Sequence, residues 1–272
     1  MDGQFSLSPL TAIGCAPPEL VYIAARAGYD FVSLRLLLMG MTGQPDFEAA
    51  EHKDMLREVK AALAETGIKL HEVELARIYD GFDPLRCLPT LEAAAELGGR
   101  HILSNIWTDD RHFAIERFAE LCELAKPFGL TVELEFVPIA AVLDLAGALD
   151  VLRAANQDNA GLAVDAHHFH RSGGKAEQLE QVPREWIRCV HLCDTPAKIP
   201  ASFEEMTHFI RNERLYVGEG VIDIAGIVNR LPEVPYSLEI PHTVRAKELG
   251  YEAFARRCLQ TAKTYLEAQS RR

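Results

Sequence analysis

Short runs rich in β-branched and aliphatic residues alternate with amphipathic stretches of helical length from one end of the sequence to the other. That alternation leaves few folds open, because strand–helix repeats return the chain to the same edge of a sheet and pair their strands in parallel. Eight strands are expected, near Phe5 to Ser8, Phe31 to Arg35, Ile68 to Glu74, Ile102 to Asn105, Leu130 to Phe136, Leu162 to Asp165, Arg188 to Cys193 and Ser237 to Ile240. Start and stop residues punctuate the intervals. Pro18 and Glu19 open a helix that Gly28 closes, Asp46 precedes one running to Gly67, and Asp83 and Pro84 start one that stops at Gly98 and Gly99. Asp110 opens a helix ending before Gly129, Ala140 to Ala155 is apolar at helical spacing, and Tyr251 to Gln269 is a terminal helix.

Right-handed crossovers leave a closed eightfold barrel or an open doubly wound sheet. Eight units, and the lack of a glycine-rich phosphate loop after the first strand, predict a TIM (β/α)8 barrel. The 272 residues suit one such domain over 1–272, since these barrels run to about 250 residues. Thr195 to Pro235 breaks the rhythm, with only Asp223 to Leu231 reading as helix and a turn at Phe203 to Arg211. Long insertions after a barrel strand shape the mouth of the site.

No apolar run approaches the ~18 residues of a membrane span, and Met1 to Ser8 lacks the pattern of a signal peptide, so a cytoplasmic protein is expected. A net charge of -12 without a basic cluster argues against nucleic acid and anionic membranes as partners. Six cysteines without CxxC spacing read as reduced thiols. Cys189 and Cys193 flank His191 at two-residue intervals and would share its face of a strand, as buried filler rather than a thiol site. A homo-oligomer is left open.

Four strand-like stretches of the second half end in a metal-ligand side chain: TVELEF at Glu135, GLAVD at Asp165, CVH at His191 and YSLE at Glu239. Parallel barrels gather the C-terminal ends of their strands around one cavity, so four such residues can converge without a local motif. Three carboxylates and one imidazole make a hard, oxygen-rich set that suits Mn²⁺ first, with Mg²⁺, Co²⁺ or Zn²⁺ as alternatives. Glu133 and Glu135 both point inward by strand parity, which demands a cationic partner, and Arg35 is the candidate for Glu133.

The segments GLAVDAHHFH, CVHLCD, VGEGVIDI and SLEI resemble the xylose-isomerase-like barrels, a family that includes D-tagatose 3-epimerase, hydroxypyruvate isomerase and inosose dehydratase. The resemblance implies that Glu135, Asp165, His191 and Glu239 bind the metal and that His168 touches a substrate oxygen, with His167 and His170 as lesser candidates. It also marks a departure. Related keto-sugar 3-epimerases carry a Glu six residues past the strand-five ligand and an Arg six past the strand-seven histidine, where this chain has Ala141 and Ala197. Free ketohexose epimerisation is therefore not the expectation.

A cation holding two adjacent oxygens of an α-hydroxy ketone makes the intervening C–H acidic, because it stabilises the enediolate. Glu135 and Glu239, from strands five and eight, would face each other across the site as the acid/base pair. The expected substrate is a small polyhydroxylated carbonyl compound: a keto-sugar, sugar phosphate or sugar acid. Arg35, Glu72 or Glu74, Asn105, Trp107, Lys198, His242 and Arg245 fall where the barrel mouth should be. Of these, Arg35, Glu74, Trp107 and Arg245 join His168 as substrate-binding candidates, with Trp107 stacking on a ring and the arginines gripping an anion. Glu219, in its GEG turn, reads as structural.

The leading expectation is a metal-dependent isomerase or epimerase. A dehydratase of a keto-polyol such as inosose or 3-dehydroshikimate shares the first step and is the runner-up. A non-catalytic metal-binding barrel is the alternative of another class, and a DNA-repair endonuclease is disfavoured by the acidic charge.

Overall fold

The computed structural model describes residues 3–37 and 46–270. Its eight strands are β1 (Phe5–Leu7), β2 (Phe31–Arg35), β3 (Lys69–Ile78), β4 (His101–Ile106), β5 (Thr131–Glu135), β6 (Ala160–Asp165), β7 (Ile187–Leu192) and β8 (Tyr236–Leu238). Each pairs in parallel with the next, and β8 pairs with β1 to close a (β/α)8 barrel. Closure removes both edges of the sheet and fixes which strand ends meet.

The helices between strands are α1 (Pro17–Ala27), α2 (Lys53–Thr66), α3 (Leu88–Glu96), α4 (Arg111–Ala125), α5 (Leu145–Ala155) and a short α6 (Ala166–Arg171). Between β7 and β8 lie α7 (Phe203–Asn212) and α8 (Ile224–Val228), and after β8 come α9 (Thr243–Leu249) and the terminal α10 (Tyr251–Ser270). Gly28 ends α1 in the left-handed region at φ 91°, donating its N–H to the carbonyls of Ala24 and Ala25. Asn156 closes α5 the same way at φ 49°.

Several boundaries differ from the sequence reading. Helix α5 starts at Leu145 rather than Ala140, because the Asp144 side chain accepts from the Gly147 N–H and so caps the helix there. Helix α2 begins at Lys53 rather than just after Asp46, and strand β3 runs four residues past Glu74. The expected turn at Phe203 to Arg211 is a full helix, capped by Ser202 through the Glu205 N–H. Helices α6 and α9 have too few turns for an apolar period to announce them.

Helix faces and outward strand residues form the main core, in which Val21, Phe118, Leu121, Val132, Leu134, Leu192 and Phe254 are fully enclosed. The barrel lumen is built differently. By strand parity the inward positions include Ser6, Ser33, Leu103, Gly161, Ala163, Cys189 and Ser237, all small but Leu103. The room they leave holds Glu72 and Glu133, both completely buried. Any side-chain carbon at Gly161 would run into the Glu133 carboxylate.

Asp194, just past β7, anchors the long excursion. Its buried carboxylate accepts the backbone N–H groups of Thr195, Gly218, Gly220 and Ile222 at 2.9 to 3.2 Å. Gly218 adopts φ +85° there, and a Cβ on Gly220 would collide with the Thr195 carbonyl, so the glycines around Glu219 are required by this turn.

Candidate active site

The ends of β5, β6 and β7 and the residue after β8 bring Glu135, Asp165, His191 and Glu239 together, all buried. One ligand atom from each lies within 4.8 Å of the other three. His191 Nδ1 faces the carboxylates at 3.6 Å from Glu135, 3.7 Å from Glu239 and 4.0 Å from Asp165, too far for hydrogen bonds. It is a buried polar atom with no partner.

The other ring nitrogen explains that orientation. His191 Nε2 sits 3.0 Å from Glu72 Oε1, which also accepts from Ser33 Oγ at 3.0 Å, and Ser33 is linked to Ser6 at 2.9 Å. Burial pushes the Glu72 carboxyl up, but His191 outweighs it and holds Glu72 well below the usual carboxylate range. An ionised Glu72 accepts the Nε2 proton and keeps Nδ1 turned into the quartet, as the partner of a metal-ligating histidine does. Burial pulls the His191 pKa down, but Glu72, Glu239 and Glu135 raise it well above its ordinary value, so a cation would bind there by displacing the Nδ1 proton. Glu72, the alternative to Glu74 for a place at the mouth, thus lies beneath His191 instead.

Arg214 is the fifth member, and sequence reasoning missed it. Its guanidinium is 1% exposed and lies 2.5 Å from Asp165 Oδ2, 3.0 Å from Glu239 Oε2 and 3.4 Å from His168 Nε2. Burial pushes Asp165 up, yet Arg214, then His168 and His191, hold it well below its ordinary value. Burial of Glu239 is opposed by Arg214 and His191 in the same way, and its pKa is lowered. Three carboxylates against one guanidinium and a protonated His191 carry a net charge of about minus one, and about minus two once the imidazole gives up its proton to act as a ligand, which a divalent cation neutralises. The donor set therefore fits a hard divalent ion. The one signal in the sequence was an Arg immediately before the Leu215–Gly220 turn.

A cavity above the quartet is lined by Arg35, Glu74, Arg77, Asn105, Trp107, Glu135, His168, Arg211, Arg214 and Glu239, with apolar walls that include Leu75, Leu103 and Ile210. His168 is held by its own backbone, whose N–H donates to Asp165 Oδ1 at 2.8 Å, so the strand-end carboxylate also caps α6. Its Nε2 lies 4.0 Å from Glu135. Arg35 pairs with Glu74 at 2.8 Å. It is therefore not the partner of Glu133, which instead faces Arg188 at 3.5 Å and His101 at 3.4 Å and accepts from Thr131 at 2.6 Å. Burial pushes Glu74 up to about 8 in spite of Arg35.

Trp107 lines the cavity, but the Arg77 guanidinium covers its ring, 3.9 Å from the centroid, where a sugar was expected. Arg245 does not line the cavity: Glu219 binds it bidentately at 2.6 and 2.9 Å, and it stacks on Tyr216. That expectation is corrected, since the anion this Arg grips is the carboxylate of its own neighbouring turn. Lys198 pairs with Glu205, and His242 likewise lies outside the lining. All six cysteines are free; Cys189 is buried in the lumen beside His71 and Glu72.

A family model described as "Xylose isomerase-like TIM barrel" matches residues 21–260. Inosose isomerase of Bacillus subtilis (strain 168) is 30% identical over 152 residues, covering 55% of this chain and 52% of that protein. The chain thus spans about half the length of the curated relatives it matches. The 3-dehydroshikimate dehydratase of Pseudomonas aeruginosa is 27% identical over 239 residues, 83% of this chain and 35% of that protein. Among solved structures, that of an IOLI protein with a bound zinc atom superposes with a TM-score of 0.76 at 20% identity, covering 98% of this chain and 97% of that one. No helix among the described residues is long and apolar enough to cross a membrane.

Proposed function

The chain belongs to the xylose isomerase-like TIM barrel family, and on that premise we propose that it is a divalent-metal-dependent isomerase or epimerase of a small polyhydroxylated ketone. The observation that carries this reading is the quartet itself, with its net negative charge and an unpartnered His191 Nδ1 turned into it. Glu135, Asp165, His191 and Glu239 would hold the ion, with Mn²⁺ as first choice and Zn²⁺, Mg²⁺ or Co²⁺ as alternatives. When bound, such an ion is a Lewis acid that polarises a carbonyl and its neighbouring hydroxyl, acidifying the C–H between them.

The protein's own groups do the rest. Glu135 and Glu239 come from strands three apart around the barrel and both line the cavity, so one takes the proton from a carbon and the other returns it. His168, beside Glu135, is the group to hold the substrate oxygen, and Arg214 offsets the charge of Asp165 and Glu239 as protons move. Arg35, Glu74 and Trp107 form the wall against which the polyol lies. We place this activity in the cytoplasm.

A second reading is supported by the similarity to 3-dehydroshikimate dehydratase over most of this chain. Loss of water from a keto-polyol begins with the same proton abstraction, so the same residues serve. One experiment separates the two: incubate keto-sugars, keto-inositols and dehydroshikimate with Mn²⁺-loaded protein in D₂O, and read mass and NMR. Deuterium in a product of unchanged formula means isomerase or epimerase, and loss of water means dehydratase. No exchange and no product with any of them refutes both.

A further inference from the structure

Four guanidinium groups, from Arg35, Arg77, Arg211 and Arg214, line the cavity above the quartet, against the carboxylates of Glu74, Glu135 and Glu239. Two of the four are spent: Arg35 on Glu74, and Arg214 on Asp165 and Glu239. Arg77 and Arg211 have no carboxylate partner among the described residues, and no carboxylate figures in the electrostatics of either. In a chain of net charge -12, two unpaired and half-buried arginines on one wall of a cavity are a local concentration of positive charge.

Both are built into place. Trp107 donates its indole N–H to Asn105 Oδ1 at 2.8 Å, and this fixed ring supports the Arg77 guanidinium at 3.9 Å. Stacking occupies the face of the guanidinium and leaves its N–H edge free for an oxyanion. Arg77 Nε is itself buried without a partner. Arg211 comes from α7, the helix of the long excursion, and Ile210 and Arg214 beside it line the same cavity. The like charges feel each other: burial, then Arg211, lowers the Arg77 pKa, and burial, then Arg35, lowers that of Arg211. Holding like charges together without a counter-ion costs stability, and an anionic ligand repays it.

We propose that the substrate is anionic, a keto-polyol ending in a carboxylate or phosphate, and that Arg77 and Arg211 form the subsite for that end group. This rests on the proton-transfer reading only for the other end of the substrate. Arg77, on β3, lines the same cavity as Glu135 and Glu239, so an anion held there would fix which carbon reaches those two carboxylates. The absence of acidic and basic sugar-gripping residues at Ala141 and Ala197 agrees with recognition moved to a charged terminus.

The test uses metal-loaded protein and three ligands on one skeleton: D-fructose, D-fructuronate and D-fructose 6-phosphate, with affinities from calorimetry. At least one anionic ligand should bind about tenfold or more tighter than D-fructose, and the one preferred tells carboxylate from phosphate. Arg77→Gln with Arg211→Gln should abolish that advantage, while Arg245→Gln, outside the cavity, should keep it. Rising salt should shrink it in the wild-type protein. No advantage for either anion, including no binding of all three, overturns the proposal, as does an advantage that survives the double substitution. Solvent deuterium exchange is read in parallel. Anion preference without exchange would remove the proton-transfer reading and leave the subsite, whereas exchange with neutral ketoses, unchanged by the double substitution, would do the reverse.

Discussion

Replacing Glu72 should weaken metal binding although Glu72 is not one of the four proposed ligands. Its Oε1 accepts from His191 Nε2 and from Ser33 Oγ, each at 3.0 Å, in a fully buried setting. Glu72→Leu strips both donors of their acceptor and frees the imidazole to turn or change tautomer, which moves the Nδ1 lone pair away from the quartet. Loss of such a supporting carboxylate costs about 10- to 100-fold in metal affinity, or about 1.4 to 2.8 kcal/mol. One effect opposes this: Glu72 also favours the protonated imidazole, so its removal reduces competition by protons. The dication carries twice the charge of a proton, so loss of the negative neighbour still weakens metal binding on balance. Glu72→Gln keeps an acceptor oxygen and loses only the charge, and should fall near the tenfold end. The assay is competition with a chromophoric chelator, with thermal melting of the metal-free proteins as a check on folding. Wild-type affinity in a folded Glu72→Leu protein would refute the orienting role.

Glu239→Gln and Glu135→Gln should each reduce turnover by about 10²- to 10⁴-fold, with metal content measured beside it; a metal-loaded variant at full turnover refutes the acid/base pair. Gly161→Ala forces the Glu133 carboxylate aside in a closed lumen and should cost about 1–3 kcal/mol in urea denaturation, with an unchanged midpoint as the contrary result. Asn156→Val places a β-branched residue at φ 49° and should destabilise by about 1–2 kcal/mol, whereas Asn156→Gly should be close to neutral. Asp194→Ala leaves four backbone N–H groups without their acceptor and should cost several kcal/mol, visible as early proteolysis between residues 195 and 222; wild-type resistance would show the turn stands without it.

The barrel was legible because strands and helices differ in period and because Gly28, Gly67 and Gly129 mark helix ends in the left-handed region, a backbone requirement that leaves a residue signature. The quartet was legible for a topological reason: strand order puts the ends of β5 to β8 side by side, so four residues chosen one per strand had to meet. Pairing between side chains was not. Arg35 had two glutamates within reach of any sequence argument, and only the register of β2 against β3, which sets Arg35 opposite Glu74, decides for Glu74 over Glu133. Arg214 and Arg211 sit in an excursion whose path no local pattern dictates, and Arg245 is claimed by Glu219 through that same path. Glu72 faces inward like a filler residue, and its role depends on an imidazole 119 residues away.

The four hydrogen bonds to Asp194 staple the return of the excursion to its origin, so the chain between residues 196 and 212 hangs from a closed clasp. Evolution can rewrite that span, Arg211 included, without renegotiating strand seven or the return turn. If Arg211 reads an anionic end group as proposed, a new preference can arise by changing one helix while the carboxylates of the quartet stay where they are. On that reading the clasp separates the proposed recognition helix from the proposed metal site, and it makes α7 the segment to randomise in a test of altered specificity.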